Sequence, residues 1–332
     1  MSPEFRELDE LRQRGWKNPD GDTFFQKQRR NADNCDDRSA VHFYNMMKRI
    51  GQELHKSTHA FATPKHHSRQ PRILDMCMAP GGFLEVALSK TPGAEALAFS
   101  LPIASGGHKV FLRTAANVEQ RFLDITMLAV DMGVEEIPED HPDASRFLSR
   151  HFKPDQLFDL VLCDGQVLRT HERAAYRENR EARRLMVTQL ALGLGHLQPG
   201  GTMVVLLHKL EKYDTANLVR TFSNFSSVRL FKPKSSHTIR SSFYMVATNV
   251  QSNHPEAIRA VESWKATWKA ATFRTDEEYQ QVLHRDEGSV GEILQEFGQE
   301  MVSLGRDIWK VQIDGLAKAP FIQDRKKESA FR

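Results

Sequence analysis

The residues best suited to hold a ligand are concentrated in one stretch of the chain, residues 72–88. An apolar run that carries Asp75 is followed by Pro-Gly-Gly at 80–82 and then by apolar residues at helical spacing over 83–88. A strand, a tight glycine turn and a helix form the unit that places a ligand against backbone amides at a helix N-terminus. Two adjacent glycines also leave no Cβ between the backbone and a bound group. An ordinary strand-to-helix turn of the same composition is the alternative.

A second acidic residue ends a second apolar run. Residues 157–163 are almost entirely apolar, and Asp164-Gly165 follows them. In a parallel α/β sheet the carboxyl ends of the strands form the edge at which ligands bind. Asp164 is therefore expected at the same edge of the sheet as the glycine turn.

The sequence of the glycine turn, D-M-C-M-A-P-G-G-F over residues 75–83, resembles the first motif of the FtsJ-like RNA 2′-O-methyltransferases. In that family the motif acid-x-x-x-Ala-Pro-Gly-Gly-Phe lines the site for S-adenosylmethionine. It differs from the dinucleotide fingerprint G-x-G-x-x-G, which is absent at this turn. The resemblance implies a cofactor site formed by Asp75, Ala79, Pro80, Gly81, Gly82 and Phe83, with residues 79–82 around the methionine part.

The resemblance also implies catalytic residues. Residues 159–165 are similar to the family's motif D-L-V-x-x-D-G, whose final acid, here Asp164, is catalytic. The helical pattern that begins at Ser39 contains Lys48, which matches a catalytic lysine upstream of the first motif. A surface lysine whose stem packs on the helix is the alternative for Lys48. The strand after Pro-Gly-Gly at 199–201 ends near Lys209, which matches the family's base.

Two departures from the family pattern concern this base. Relatives carry the lysine five residues after the second glycine, where this chain has Leu206, so the match to Lys209 requires a longer or bulged strand. The position of the family's glutamate corresponds to Ser242, two residues before Tyr244. In family terms Lys209 is the base, Lys48 a second cation that lowers its pKa, and Asp164 the aligning acid. Serine can accept a hydrogen bond from lysine but supplies no charge.

Two further positions concern the nucleoside part of the cofactor. Asp124 lies in Asp-Ile-Thr, which resembles the family's Gly-Asp-Ile-Thr element, and the resemblance implies a contact with the adenine. The alternative for Asp124 is an aspartate in a surface turn, which the sequence favours equally. The strand over 95–101 carries Ser100 where many nucleotide-binding sheets have an acid for the ribose, and cap-type relatives also lack that acid.

Five arginines follow Asp164 at steps of four, four, three and four residues, which would place them on one face of a helix. Such a stripe is suited to contact an RNA phosphate backbone. Glutamates interleaved with the arginines favour a solvated face instead. The arginines are Arg169, Arg173, Arg177, Arg180 and Arg184.

The elements that must position these residues alternate between strand and helix. The predicted fold is therefore α/β, with a Rossmann-like class I methyltransferase sheet that is mostly parallel and has an antiparallel edge hairpin over 227–247. Helical additions are expected on both sides. We predict an N-terminal helical extension and linker over 1–70, a methyltransferase domain over 71–250 and a C-terminal helical extension over 251–332. Trp264 and Trp268 are expected to pack into the core.

Composition narrows the class of protein. The 332 residues are 40% hydrophobic and 27% charged, with a net charge of +3, which permits an RNA partner without arguing for one. Cys35, Cys77 and Cys163 have no C-x-x-C spacing, and His66-His67 lacks a metal-ligand pattern, so free thiols and no metal are predicted. The chain has no signal-like start and no apolar run of membrane length, which predicts an intracellular protein without a membrane partner. The oligomeric state is left open.

Three functions are compatible with these residues. The first is an S-adenosylmethionine-dependent RNA 2′-O-methyltransferase whose activity is weakened by the two departures. The second is a non-catalytic, methyltransferase-like module that binds RNA or cofactor as a scaffold. The third is an enzyme that methylates a small molecule.

Overall fold

The computed structural model describes residues 2–33, 37–62, 69–113, 115–285 and 290–323. Within them a seven-stranded sheet has the order β3-β2-β1-β4-β5-β7-β6. Cys35 and His66-His67 lie outside the described residues. The strands are β1 (Arg72–Asp75), β2 (Glu95–Ser100), β3 (Val118–Phe122), β4 (Phe158–Cys163), β5 (Leu197–His208), β6 (Ser227–Phe231) and β7 (Ser242–Val250).

All pairs among the first five strands are parallel, and β7 runs antiparallel between β5 and β6. This confirms the predicted Rossmann-like sheet with an antiparallel edge hairpin. The carboxyl ends of β1, β2 and β4 meet at one edge, because parallel strands share their direction. Asp75, Ser100 and Asp164 therefore lie at the same edge of the sheet.

The sheet is covered by helices on both faces. In chain order they are α1 (Pro3–Trp16), α2 (Pro19–Asp33), α3 (Asp37–Thr58), α4 (Gly82–Lys90), α5 (Glu181–Gly195), α6 (Tyr213–Ser223), α7 (Pro255–Phe273), α8 (Asp276–Arg285) and α9 (Val290–Ala317). None of the helices that the structure describes is long and apolar enough to cross a membrane.

Alternate residues of each strand divide the core into two layers. Val204 and Tyr244 belong to the layer that α3 and α4 cover. Val205 and Phe243 belong to the other layer, which contains residues of α1, α5, α6, α7 and α9. The side of the sheet on which a residue lies is therefore decided by the parity of its position along β5 or β7.

The N- and C-terminal helices pack together within this second layer. Leu8 of α1 is fully buried, and the rings of Phe5 and Trp309 lie 5.3 Å apart. Arg12 joins the same elements, since its guanidinium donates to Glu211 at 2.6 Å and to Gln312 at 2.9 Å. Trp268 is buried as predicted.

Two predicted elements differ from the structure. The expected helix over 169–184 is absent, because residues 165–174 form a loop, 175–177 a single 3₁₀ turn, and α5 begins only at Glu181. The strand expected from Thr202 begins earlier, at Leu197, and includes Pro-Gly-Gly with a register shift against β4. The strand β3 and the helix α6 were not predicted.

Candidate active site

The glycine turn lies between β1 and α4, and its small residues are required by the chain itself. Gly81 has a φ of +100°, a conformation that favours glycine. A Cβ on Gly81 would lie 2.8 Å from the Cβ of Leu112, and one on Gly82 would lie 2.3 Å from the carbonyl oxygen of Tyr44. A side chain at Gly82 would therefore meet the backbone of α3, and the contact of Gly81 and Gly82 with the cofactor stays a prediction. Nothing in the sequence indicated this contact between α3 and α4, because it depends on tertiary packing.

A second segment covers the same turn. The backbone N–H of Phe111 donates to the carbonyl of Pro80 at 2.9 Å. The Phe111 ring lies 5.9 Å from the ring of Tyr44 on α3. The turn is thus enclosed by α3 on one side and by residues 111–112 on the other.

Lys48 lies beside this turn, on the helix predicted for it. Its Nζ is 2.6 Å from Oε1 of Glu85 and 5.4 Å from the ring centroid of Tyr44. The backbone N of Lys48 would lie 3.1 Å from a Cβ on Gly82, so the helix α3 presents Lys48 directly over the start of α4. Glu85 belongs to the first turn of α4, and nothing in the sequence pattern had pointed to it as the partner of Lys48.

Asp75 and Asp164 form a pair of carboxyls at the edge of the sheet. Asp75 is 1% exposed, and its Oδ1 accepts the N–H of Cys77 at 3.1 Å. Burial raises the pKa of Asp164 to about 7, and burial together with the charge of Asp164 raises the pKa of Asp75 well above its usual range. Within the described residues, no cationic side chain forms an ion pair with either carboxyl.

The base position of the family motif is occupied by an apolar residue. Leu206 of β5 pairs with Tyr244 of β7 and packs in the layer of α3 and α4. The ring of Tyr244 stacks on that of Phe83, with centroids 5.4 Å apart and planes at 14°. Burial, and then the charge of Asp164, raise the pKa of Tyr244, so its phenol stays protonated near that acid.

Lys209 lies elsewhere, which corrects the expected tetrad. It follows the end of β5 with a φ of +49°, and its Nζ lies 5.5 Å from the ring centroid of Trp16 on α1. Helix α1 covers the opposite layer from α3, so Lys209 does not join Lys48 over the glycine turn. The bulged strand needed for the match does not form near this residue, because β5 pairs regularly with β7 from Met203 to His208.

Ser242 is buried at the start of β7, in register with His208. Its carbonyl oxygen accepts the Nζ of Lys232 at 2.7 Å. Lys232 also donates to the carbonyls of His237 and Arg240, and burial lowers the pKa of Lys232 to about 7. Ser242 and Lys232 border a cavity of about 10 Å³ together with residues of α1 and α9, rather than one open pocket beside Gly81. This too differs from the expected arrangement.

Asp124 caps a 3₁₀ turn and belongs to a buried ionic cluster. Its Oδ1 accepts the N–H of Thr126 at 3.0 Å, and its Oδ2 accepts Arg177 at 2.7 Å. Burial acts to raise the pKa of Asp124, but His171 and Arg177 outweigh it and hold the pKa below its usual range. Both carboxylate oxygens thus have protein partners, and the contact with adenine stays a prediction.

The composition of this cluster resembles that of a metal site. Ligand atoms of Asp124, His171 and Glu181 lie within 4.8 Å of one another. The guanidinium of Arg177 bridges the two carboxylates, at 2.7 Å from Asp124 and 2.5 Å from Glu181. Arg184 also pairs with Glu181 at 2.8 Å, so two arginines neutralise the two acids. We therefore assign no metal to them, and the absence of a metal stays a prediction.

The predicted arginine stripe is wrong as a phosphate-binding face. Arg177 and Arg184 are fully buried, and Arg180 is 6% exposed. Arg184 donates to Glu181 at 2.8 Å, and Arg180 pairs with Asp276. The reason is that residues 165–180 do not form a helix, so spacing along the chain does not place the five arginines on one surface. Arg173 pairs with Glu178 at 2.8 Å, and Arg169 lies on the exposed part of the loop.

The comparison with known sequence families settles the class of this chain. The profile of the FtsJ-like methyltransferases matches residues 46–250, which is well over half of the chain. The chain belongs to the FtsJ-like methyltransferase family. Curated protein sequences contain no match to it.

Solved structures similar to this chain include two methyltransferases and a protein named TrmN. An O-methyltransferase family protein from Burkholderia thailandensis is 14% identical over 67% of this chain and 63% of its own, with a TM-score of 0.34. TrmN from Thermus thermophilus is 16% identical over 60% and 48%, with a TM-score of 0.33. The N-methyltransferase NodS from Bradyrhizobium japonicum is 14% identical over 62% and 97%, with a TM-score of 0.37. This chain thus spans under two thirds of the first protein and about half of the second. None of these likenesses bears on the reaction.

FtsJ-like methyltransferases use S-adenosylmethionine, so the predicted cofactor is confirmed at the level of the family. The methionine end of this cofactor carries a sulfonium and an ammonium. The pair formed by the buried Asp75 and the partly exposed Asp164 fits these charges, because two carboxyls close together are stabilised by a cation between them. Ser100, buried at the end of β2, borders the same edge. The assignment of these residues to the methionine end of the cofactor stays a prediction.

Proposed function

We propose that this FtsJ-like methyltransferase methylates a ribose 2′-hydroxyl of RNA. The observation that carries the proposal is Asp164, a partly exposed acid with a pKa of about 7 at the edge where the glycine turn lies. Support also comes from Lys48, which the helix α3 holds over the same turn. Both residues match catalytic positions of the family motif in the expected order.

Methylation of a hydroxyl requires that the oxygen lose its proton as it attacks. S-adenosylmethionine, when bound, would supply the methyl group from its positively charged sulfur to the hydroxyl oxygen, with S-adenosylhomocysteine as the leaving group. In this chain the proton passes to the carboxylate of Asp164, whose pKa near neutrality suits a general base. Transfer therefore increases as the pH rises through the pKa of Asp164, which is about 7 in the chain without cofactor and is lowered by the positive charge of the bound cofactor. Lys48 contributes positive charge beside the attacking oxygen.

Leu206 makes this a slower enzyme than a relative with a lysine base. An apolar side chain cannot take a proton or orient one, and Lys48 is neutralised in part by Glu85. A misplacement of about 1 Å in a catalytic group can cost roughly 100-fold in rate. The rate is thus expected to lie well below that of a complete tetrad.

The second candidate function is the non-catalytic scaffold module. It is favoured by Leu206 in the base position and by the enclosure of the glycine turn between α3 and residues 111–112. Such a module would bind RNA or cofactor without transferring a methyl group.

The deciding experiment measures transfer of labelled methyl from S-adenosylmethionine to total RNA, followed by nuclease digestion. Label in nuclease-resistant dinucleotides supports the proposal, because a 2′-O-methyl group blocks cleavage at that position. Asp164→Asn is expected to abolish the label, whereas Asp155→Asn, on an exposed loop, serves as the matched control. Label in a base contradicts the ribose assignment. Cofactor binding without any label supports the scaffold.

A further inference from the structure

A cavity lies between the N-terminal helices and the carboxyl end of β5, apart from the glycine turn. It has a volume of about 360 Å³, within the range of pockets that hold small ligands. Residues of α1, α2 and α9 form one side, and His208, Lys209 and Arg240 form the other. Trp16 and Phe321, which also line it, lie outside the residues that match the family profile.

The charge of this cavity is positive. The Lys209 ammonium and the Arg240 guanidinium both line it, and neither pairs with a carboxylate among the residues that the structure describes. The third cation, Arg12, is already neutralised by Glu211 at 2.6 Å. Burial and the charges of nearby lysines and Arg240 lower the pKa of His208, which is consistent with a concentration of positive charge. Arg240 donates to the side-chain oxygen of Gln28 at 3.1 Å, and Nζ of Lys209 lies 5.5 Å from the ring centroid of Trp16, so both cations have neutral partners. Two cations whose charge no described carboxylate neutralises are suited to a phosphate.

The cavity also offers an aromatic surface. Trp16 is 59% exposed, an unusual exposure for a large aromatic ring in a folded chain. The rings of Phe25 and Phe321, which line the same cavity, lie 5.6 Å apart. Nucleic-acid bases stack on exposed aromatic rings, and cations beside the ring hold the phosphate that follows the base.

The position of the cavity connects it with Asp164. The ring of His208 lies 3.1 Å from the side-chain oxygen of Gln166, two residues after Asp164. β5, which leads into the cavity, is the neighbour of β4, which leads to Asp164. A strand of RNA that enters this cavity is therefore close to the acid at the family site.

From these observations we infer that the cavity is a nucleotide-binding subsite, in which a base stacks on Trp16 and its phosphate contacts Lys209 and Arg240. The statement that its ligand in the cell is one nucleotide of an RNA rests on the proposed function. The statement that it binds a base and a phosphate does not depend on that function. Lys209, displaced from the catalytic position, acquires a role in recognition.

Calorimetry with the full chain tests this inference, using guanosine 5′-monophosphate and guanosine as probes in the presence of S-adenosylhomocysteine. Guanine probes are used so that their binding is not confused with binding at the site for the adenosyl part of the cofactor. The wild type is expected to bind the monophosphate more tightly than the nucleoside. Lys209→Asn and Arg240→Gln should remove this preference, whereas Trp16→Ala should weaken both probes about 5- to 150-fold. Asparagine is chosen at Lys209 because it tolerates a positive φ.

Arg259→Gln provides the matched control, because it removes an exposed arginine of α7 that pairs only with Glu256 in the described structure. Circular dichroism establishes that each variant is folded, and Arg240→Lys replaces Arg240→Gln if the latter unfolds, with partial loss expected. Equal affinities of the wild type for the two probes, no effect of Trp16→Ala, or an equal loss in Arg259→Gln overturns the inference. Binding of the monophosphate without methyl transfer to RNA contradicts only the proposed function. Methyl transfer without such binding contradicts only the subsite.

Discussion

Asp164 and Lys48 keep their positions beside the glycine turn, while the residues expected to complete the site do not. Lys209 lies over Trp16, and Leu206 packs in its place against the layer of α3 and α4. Asp164 has no ion pair with a cationic side chain among the described residues, so its own pKa becomes the important chemical property of the site. Its neutral form is stabilised in the folded chain.

The titration of Asp164 gives a prediction about stability. Its pKa is about 7 in the folded chain against 3.8 ordinarily, so its contribution to stability is complete below pH 4 and is lost as the pH rises through 7. Asp164→Asn should remove this loss. Between pH 5 and pH 8 the free energy of unfolding of the wild type should therefore fall by roughly 2–4 kcal/mol more than that of the variant. Urea unfolding at the two pH values measures it. Parallel pH dependences of wild type and variant would contradict the assigned pKa.

Arg177 gives the second prediction at this scale. Arg177→Met leaves the buried carboxylates of Asp124 and Glu181 without their shared cation, which should lower the free energy of unfolding by about 3–5 kcal/mol. Arg183→Met breaks an exposed pair with Asp214 and should cost less than about 1 kcal/mol. Thermal and urea unfolding provide the comparison. A stable Arg177→Met variant with weakened RNA binding would restore the phosphate-contact interpretation.

At the scale of elements, the helix α3 matters most, because it brings Lys48 to the site and closes over the glycine turn. The turn between β1 and α4 accepts this helix only because Gly82 has no side chain. Conversely, the loop over 165–174 replaces a predicted helix and redirects the arginines inward. The identity of each element thus decides which side chains reach the site.

We predict that Gly82→Ala disturbs the contact of α3 with α4. Its Cβ would lie 2.3 Å from the carbonyl of Tyr44, so the backbone must move, at a cost of about 1–3 kcal/mol. Gly298→Ala in α9 is the matched control. Its nearest neighbour would be 3.9 Å away, and alanine in a helix should stabilise the protein by about 0.5–1 kcal/mol. If chemical denaturation gives both variants the same stability, the close packing of α3 is wrong.

At the scale of the whole molecule, the terminal helices share one core layer with the sheet. Leu8 of α1 lies in the same hydrophobic cluster as Trp309 of α9 and Phe243 of β7. Arg12 adds polar contacts between the same elements. The family match covers residues 46–250, so it agrees with the predicted division only at residue 250, and packing crosses both predicted boundaries.

This shared core predicts a single unfolding transition that depends on α1. Leu8→Ala should lower the free energy of unfolding by about 2–5 kcal/mol and shift tryptophan fluorescence and far-ultraviolet circular dichroism together. Leu294→Ala, at an exposed position of α9, should change stability by less than about 0.5 kcal/mol. Two separate transitions would show that α1 folds independently of the sheet.

The sequence by itself determined the alternation of strands and helices, the glycine turn and the acid at the end of β4, although it did not indicate β3 or α6. These features depend on local apolar patterns and on a motif whose residues are close together in the chain, so one sequence suffices to find them. Asp75 and Asp164 were accordingly placed at the correct edge of the sheet.

Only the tertiary structure decided what surrounds those residues. The parity of β5 sends Leu206 towards α3 and removes Lys209 from the site, and a shift of one residue would have reversed the faces. The pairing of Lys48 with Glu85 and of Arg177 with Asp124 joins residues 37 and 53 positions apart. The cavity at Trp16 likewise requires α1, β5 and α9 to meet. Such contacts depend on packing between distant segments, which periodicity along one chain does not specify.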